Sequence, residues 1–229
     1  MLIGILQTGQ SPDPLRAEAG DYPDMFETLL AGRGLRFRRY HVEGDDFPER
    51  VDACEGWLIT GSRHGAYEEH AFIPRLEGFL REAYAAGVPI VGICFGHQIL
   101  AQALGGTVAR APEGWVVGPQ DYDFGGETLT LNAWHRDQVT RLPPGARVTA
   151  RNDQCAYAAL AYGDSAMSVQ AHPEFSDAFV EGLMRTRGPG LVPEPLMAAA
   201  RARLGQPNSA AAIADRIARF FTQPRPTRA

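Results

Sequence analysis

The chain has 229 residues, a formal net charge of -5 and a pI near 5.7, with 45% hydrophobic and 21% charged residues. That balance describes an ordinary globular chain with a mildly acidic surface, and no basic block is present that could follow a phosphate backbone or grip an anionic bilayer. Nucleic acid and membrane partners are therefore not expected. Residues 2–6 are too short an apolar run, and lack the preceding positive charges, for a signal peptide, so a cytoplasmic location is expected. The three cysteines, Cys54, Cys94 and Cys155, form no C-x-x-C pair, and their odd number argues against a disulfide framework.

Short apolar, β-rich runs alternate with segments of helical period, the pattern of an α/β fold with a mostly parallel sheet and helices on both faces. Residues 2–6 read as a first strand, 22–31 as a helix ended by the glycines of 32–34, 36–41 as a second strand and 57–60 as a third. Residues 72–86 carry apolar side chains at three- and four-residue steps and stop at Gly87, giving a helix that feeds a strand over 88–93. From 107 to 150 the pattern changes to short alternating stretches such as 127–131 and 147–149, which predicts an antiparallel extension of the sheet. A strand over 166–171 follows, then a helical tail from about 177 with helices at 177–186, 194–204 and 209–221. No repeat or second core interrupts this order, so residues 1–229 are expected to form one domain.

The most informative stretch is VPIVGICFGHQILAQALGG, residues 88–106, in which a strand of buried character runs straight into a helix with Cys94 at the junction. Gly92, Cys94 and Gly96 reproduce the G-x-S-x-G logic of a nucleophile elbow, where small residues permit a tight strand-to-helix turn. A cysteine at a helix N-terminus meets unpaired N–H groups and the positive end of the dipole, which favour its thiolate. A cysteine in an apolar run ordinarily just packs. Glycine on both sides, and the polar pair His97 and Gln98 in the first helical turn, favour chemistry instead.

A thiolate nucleophile needs a proton carrier. His172 sits at the end of the strand over 166–171 and is followed by Pro173 and Glu174. Carboxyl ends of parallel strands gather at one sheet edge, so Cys94 and His172 are expected to meet there. An i, i+2 step along extended chain would put Glu174 beside His172 as its orienter. The three then take triad roles. A metal reading of His172 and Glu174 needs a third ligand, and the remaining histidines supply no obvious pattern; no metal or cofactor is expected. For the oxyanion, the Phe95 amide and the loop over 60–65, TGSRHG, are the two backbone sources, although that loop is also readable as a plain glycine turn.

Together these residues resemble the class I glutamine amidotransferase family, the triad type with a flavodoxin-like core. The resemblance runs over about residues 2–174 and rests on GICFGHQILAQALGG, ITGS, WHRDQV (134–139) and VQAHPE (169–174), in that order. It implies cleavage of the glutamine side-chain amide through a γ-glutamyl thioester on Cys94, with His172 as base and then acid and Glu174 as its orienter. It further implies amides near Gly61, Ser62 and Phe95 as the oxyanion hole, Gln98 against the amino-acid end of the substrate, and backbone around Trp134, His135 and Arg136 holding its α-groups. The loop reads Gly-Ser-Arg where many members have Gly-Gly-Pro. EGWVVG (113–118) and GSRHGAYE are more similar to free-standing members, related to plant γ-glutamyl peptidases and to the amidotransferase domain of GMP synthase. Two activities follow: a glutaminase that passes ammonia to a synthase in trans, or a stand-alone hydrolase of γ-glutamyl amides. The second predicts an open pocket lined by residues 63–69. A third reading, a non-enzymatic binding module, is disfavoured by the intact Cys, His and Glu.

Overall fold

The computed structural model describes residues 1–224. Its strands are β1 (Leu2–Gln7), β2 (Arg36–His41), β3 (Gly56–Ile59), β4 (Ile90–Ile93), β5 (Thr107–Arg110), β6 (Val116–Asp123), β7 (Thr128–His135), β8 (Asp137–Arg141), β9 (Ala146–Asn152), β10 (Cys155–Tyr162) and β11 (Ala166–Val169). Its helices are α1 (Asp13–Ala19), α2 (Tyr22–Leu29), α3 (Phe72–Ala85), α4 (Phe95–Ala103), α5 (Asp177–Thr186), α6 (Glu194–Arg201) and α7 (Ala210–Thr222).

Nine strands form one sheet in the order β2-β1-β3-β4-β11-β10-β9-β6-β7. The first five run parallel, and pairing turns antiparallel from β11 outward. β5 and β8 make a separate antiparallel ribbon. The expected α/β architecture with an antiparallel extension is thus present.

Strands β3 and β4 are buried at every position because helices cover both faces, and their sequences are accordingly continuous apolar runs. Side chains alternate between two cores. Trp57, Ile59 and Ile90 pack with Leu76 and Leu80 of α3 and Ile99 and Leu100 of α4. Leu58, Val91 and Ile93 face the other way, toward Phe26 of α2 and Ile213, Ile217 and Phe221 of α7. The last helix of the tail is therefore part of the sheet's covering layer.

Several element ends move from their expected places for local reasons. α2 opens on a capping box in which Asp21 accepts from the Tyr22 amide at 2.9 Å and Asp24 accepts from the Asp21 amide at 2.7 Å. It stops at Leu29 rather than 31, and α6 stops at Arg201 rather than 204. The strand expected over 88–93 begins only at Ile90, since Pro89 has no amide to donate. The 127–131 and 147–149 stretches widen into β7 and β9. Helix α1, DPLRAEA, was not among the expected elements; Pro12 is its N-cap and Pro14 falls in its first turn, where a missing N–H costs nothing.

Candidate active site

Parallel strands β1, β3, β4 and β11 deliver Thr8, Thr60, Cys94 and Gln170 to one edge. Thr8 Oγ1 donates to the Thr60 carbonyl at 3.0 Å, and the Cys94 amide donates to the Val169 carbonyl at 2.9 Å. Cys94 has φ 55° and ψ -103°, one of two positive-φ non-glycine residues among those described. Such a backbone costs on the order of 1–3 kcal/mol and persists only where its surroundings enforce it. Here the enforcement is close packing. A Cβ on Gly92 would drive into the Gly96 carbonyl and lie 2.9 Å from the His97 amide nitrogen; one on Gly96 would drive into the Ile59 carbonyl and lie 2.8 Å from the Ile59 Cβ. The Gly96 amide also donates to the Thr60 carbonyl at 3.1 Å. Both glycines let α4 start against β3 and β4, which leaves Cys94 at the tip.

The strand expected over 166–171 ends at Val169, and His172 forms an isolated bridge to Asn132 of β7, its amide donating to the Asn132 carbonyl at 2.8 Å. Pro173 and Glu174 then form a turn closed by the Phe175 amide on the His172 carbonyl at 3.4 Å. This corrects the expectation of extended chain: proline fixes φ in the range a turn requires, and the turn brings Glu174 back to its neighbour. Glu174 Oε1 lies 2.7 Å from His172 Nδ1, with both side chains almost fully buried. A carboxylate can only accept, so Nδ1 carries the hydrogen and Nε2 is left for the sulfur. Phe175 stacks on the imidazole at 3.8 Å and 5° and fixes the ring plane. A Cβ on Gly61 would lie 2.9 Å from His172 Cε1 and 3.9 Å from Cys94 Cβ, so the two side chains converge over a residue that has none.

Burial alone lowers the His172 pKa, but the charges of Cys94 and Glu174 outweigh it and push it up to about 10. His135 is the opposite case: burial first, then the charge of His172, bring it down to about 3, so this ring is neutral beside the cation. His97 is fully buried with Nδ1 2.7 Å from Ser168 Oγ, and burial lowers it to about 3. It is a packing histidine under the elbow.

A pocket of about 320 Å³ opens over the sulfur. Of the expected residues, Ser62, Cys94, Gln98, Trp134, His135, Arg136 and His172 line it. Gly61 sits beneath the Cys94 and His172 pair, Glu174 behind the imidazole, and Phe95 points its ring into the core against Phe72, leaving only its backbone toward the elbow. Gln98 uses its amide nitrogen on the Asp137 carbonyl at 2.8 Å and on Gln170 at 3.2 Å, so only its oxygen stays available to a ligand.

Sequence reasoning passed over Gln170 and Tyr22. The Gln170 amide donates toward Cys94 Sγ at 3.8 Å, and its place two residues before His172 in VQAHPE was the available signal. Tyr22, on α2, lines the pocket, packs on Phe175 at 6.0 Å and has its hydroxyl pushed well up by burial, then by the charges of Cys94 and Glu174. Nothing local in the sequence marks it, because the fold alone brings α2 there.

The class-I glutamine amidotransferase family model matches residues 47–178. The chain is 32% identical over 174 residues to γ-glutamyl peptidase 4 of Arabidopsis thaliana, covering 69% of each, and 37% identical over 169 residues to the glutamine-hydrolyzing GMP synthase of Thermosynechococcus vestitus, covering 67% of this chain and 30% of that one. In structure it is similar to a glutamine amidotransferase from Methylobacillus flagellatus, with a TM-score of 0.73, 23% identity, and 96% and 91% of the two chains covered. No helix among the described residues is long and apolar enough to cross a membrane. The chain belongs to the class-I glutamine amidotransferase family.

Proposed function

We propose that the chain cleaves γ-glutamyl amides through a thioester on Cys94, with His172 and Glu174 completing a catalytic triad. The observation that carries the reading is the strained Cys94 backbone at a helix start, beside an imidazole whose other nitrogen is held by a buried carboxylate. In the first half-reaction the Cys94 thiolate attacks the γ-carbonyl carbon, forming a C–S bond, and the carbonyl π pair moves onto oxygen. Amides at the start of α4 and in the loop at Gly61 and Ser62 receive that charge; each such donor contributes roughly 3 kcal/mol to the transition state. As the oxyanion collapses the C–N bond breaks, and His172 gives its proton to the leaving nitrogen. Water then attacks the thioester carbonyl while His172 takes a proton from it, and the C–S bond breaks to release glutamate and restore the thiolate. Backbone of Trp134 to Arg136 and the Gln98 oxygen are suited to the α-amino and α-carboxyl groups.

The pH profile follows from the cation. His172 must be protonated to expel the amine, and its pKa of about 10 keeps it so across neutrality. kcat/KM is expected to persist to about pH 9 and to fall as pH rises through about 10. In Glu174→Gln the neutral amide no longer stabilises the cation, so the alkaline limb moves to lower pH and kcat drops on the order of 10² to 10⁴-fold. A pH–rate profile of both proteins in which the limb stays put would remove Glu174 from the mechanism.

Two substrates fit this chemistry: glutamine, with ammonia passed to a synthase in trans, or a larger γ-glutamyl amide cut without a partner. The pocket favours the second. It extends from Cys94 along Arg63, His64, Gly65, Tyr67 and Glu68, leaving room beyond the scissile nitrogen. Release of amine from γ-glutamyl dipeptides, compared with release of ammonia from glutamine, tests the choice: the dipeptides should turn over faster at equal concentration. Glutamine turnover without dipeptide cleavage would instead assign the chain to a synthase-dependent glutaminase.

A further inference from the structure

The segment after β3 lines the pocket and brings together three side chains of one short loop. His70 Nε2 lies 3.0 Å from Glu68 Oε2, and His64 Nδ1 lies 3.7 Å from the same oxygen. The two imidazole centroids lie 4.0 Å apart with the rings tilted by 53°. His64 Nδ1 or Nε2, a Glu68 oxygen and a His70 nitrogen all fit within 4.8 Å of one another. From these positions we infer a site for a divalent transition ion of the zinc class, held by His64 Nδ1, Glu68 and His70 Nε2.

Three features of the cluster suit an ion. Metal–nitrogen and metal–oxygen bonds of about 2.0–2.1 Å in a tetrahedral shell put neighbouring ligand atoms about 3.3 Å apart, and the two measured separations bracket that value. Second, the other nitrogen of His64, Nε2, contacts Glu43 Oε1 at 2.8 Å, and Glu43 is mostly buried at its side chain. A carboxylate there holds the hydrogen on Nε2 and leaves the Nδ1 lone pair toward Glu68 and His70, the outer-shell arrangement that orients metal-bound histidines. Third, the backbone is already set: the Glu68 amide donates to the Gly65 carbonyl at 3.0 Å, the His70 amide to the Glu68 carbonyl at 3.0 Å, and Gln102 holds the Ala66 carbonyl at 2.7 Å. The residues span His64 to His70, too irregular a spacing for a zinc motif to be seen in the sequence.

Three protein ligands leave a fourth position open. His64 and Glu68 line the pocket that holds Cys94, so that position meets whatever enters it, a water or a carboxylate of the bound molecule. The site is independent of Cys94 hydrolysis, and its test is read by light absorption. Untagged, metal-free Cys94→Ser protein, which lacks the thiolate, is titrated with Co²⁺ and then with Zn²⁺. The expected result is one ion per chain with visible d–d bands of a tetrahedral nitrogen and oxygen shell and no sulfur charge-transfer band, displaced by Zn²⁺. Glu43→Gln should weaken binding roughly 10 to 100-fold, and His70→Ala and Glu68→Gln by at least as much, with thermal melts confirming that each variant folds. Binding unchanged in all three variants, a sulfur band from Cys54 or Cys155, or no saturable binding would each overturn the site.

Discussion

Replacing Cys94 by alanine is expected to abolish release of both ammonia and amine, by on the order of 10⁴-fold or more, because the sulfur forms the bond that every later step uses. The same position predicts a stability effect of opposite sign. At φ 55° and ψ -103° any side chain is strained, and glycine is not. Cys94→Gly is therefore expected to be as inactive as Cys94→Ala but more stable than it by about 1 kcal/mol, the strain relieved exceeding the extra entropy of the unfolded glycine. Urea unfolding of the two variants measures the difference. Equal midpoints would mean that the elbow is not under strain, and residual turnover in both would assign the nucleophile elsewhere.

A large loss of stability is expected at Gly96. An added methyl meets backbone, the Ile59 carbonyl and its Cα-attached atoms, rather than the end of a flexible side chain. Neither α4 nor β3 can give way without breaking the Gly96 to Thr60 hydrogen bond or the β3 pairing with β4. Gly96→Ala should cost about 3 kcal/mol or more, at or above the usual range for overpacking. Gly78→Ala, on α3 where a Cβ meets nothing within 4 Å, is the control and should be neutral or slightly stabilising through helix propensity. Thermal unfolding of the pair reads this directly: a Gly96→Ala protein as stable as its control would contradict the packing account of the elbow.

Much of this was legible because sequence period and local chemistry agreed. Residues 2–6, 57–60 and 88–93 are largely apolar runs too short for helices, and the alternating helices left a parallel sheet as their common solution. The elbow was legible because glycine on both sides of a cysteine has a steric meaning, which the Gly96 and Ile59 contact now supplies. What stayed hidden depended on chain returning from far away. Tyr22 reaches the pocket on a helix whose sequence signals only its own cap, and Glu174 reaches His172 through a proline turn rather than along a strand. β10 was missed because CAYAALAY is alanine-rich and carries little strand preference; it is held by pairing with β9 and β11. The cluster of His64, Glu68 and His70 was equally invisible, since an irregular loop brings its ligand atoms together at no repeating spacing.

The covalent step on Cys94 is read from the intact mass of the chain quenched in acid during turnover of a γ-glutamyl dipeptide, followed by peptide mapping. One glutamyl acyl group per chain is expected, located on Cys94, lost on neutral hydroxylamine treatment and absent from Cys94→Ala. Continued turnover with no acylated chain, or an acyl group mapped to Cys54 or Cys155, would contradict it.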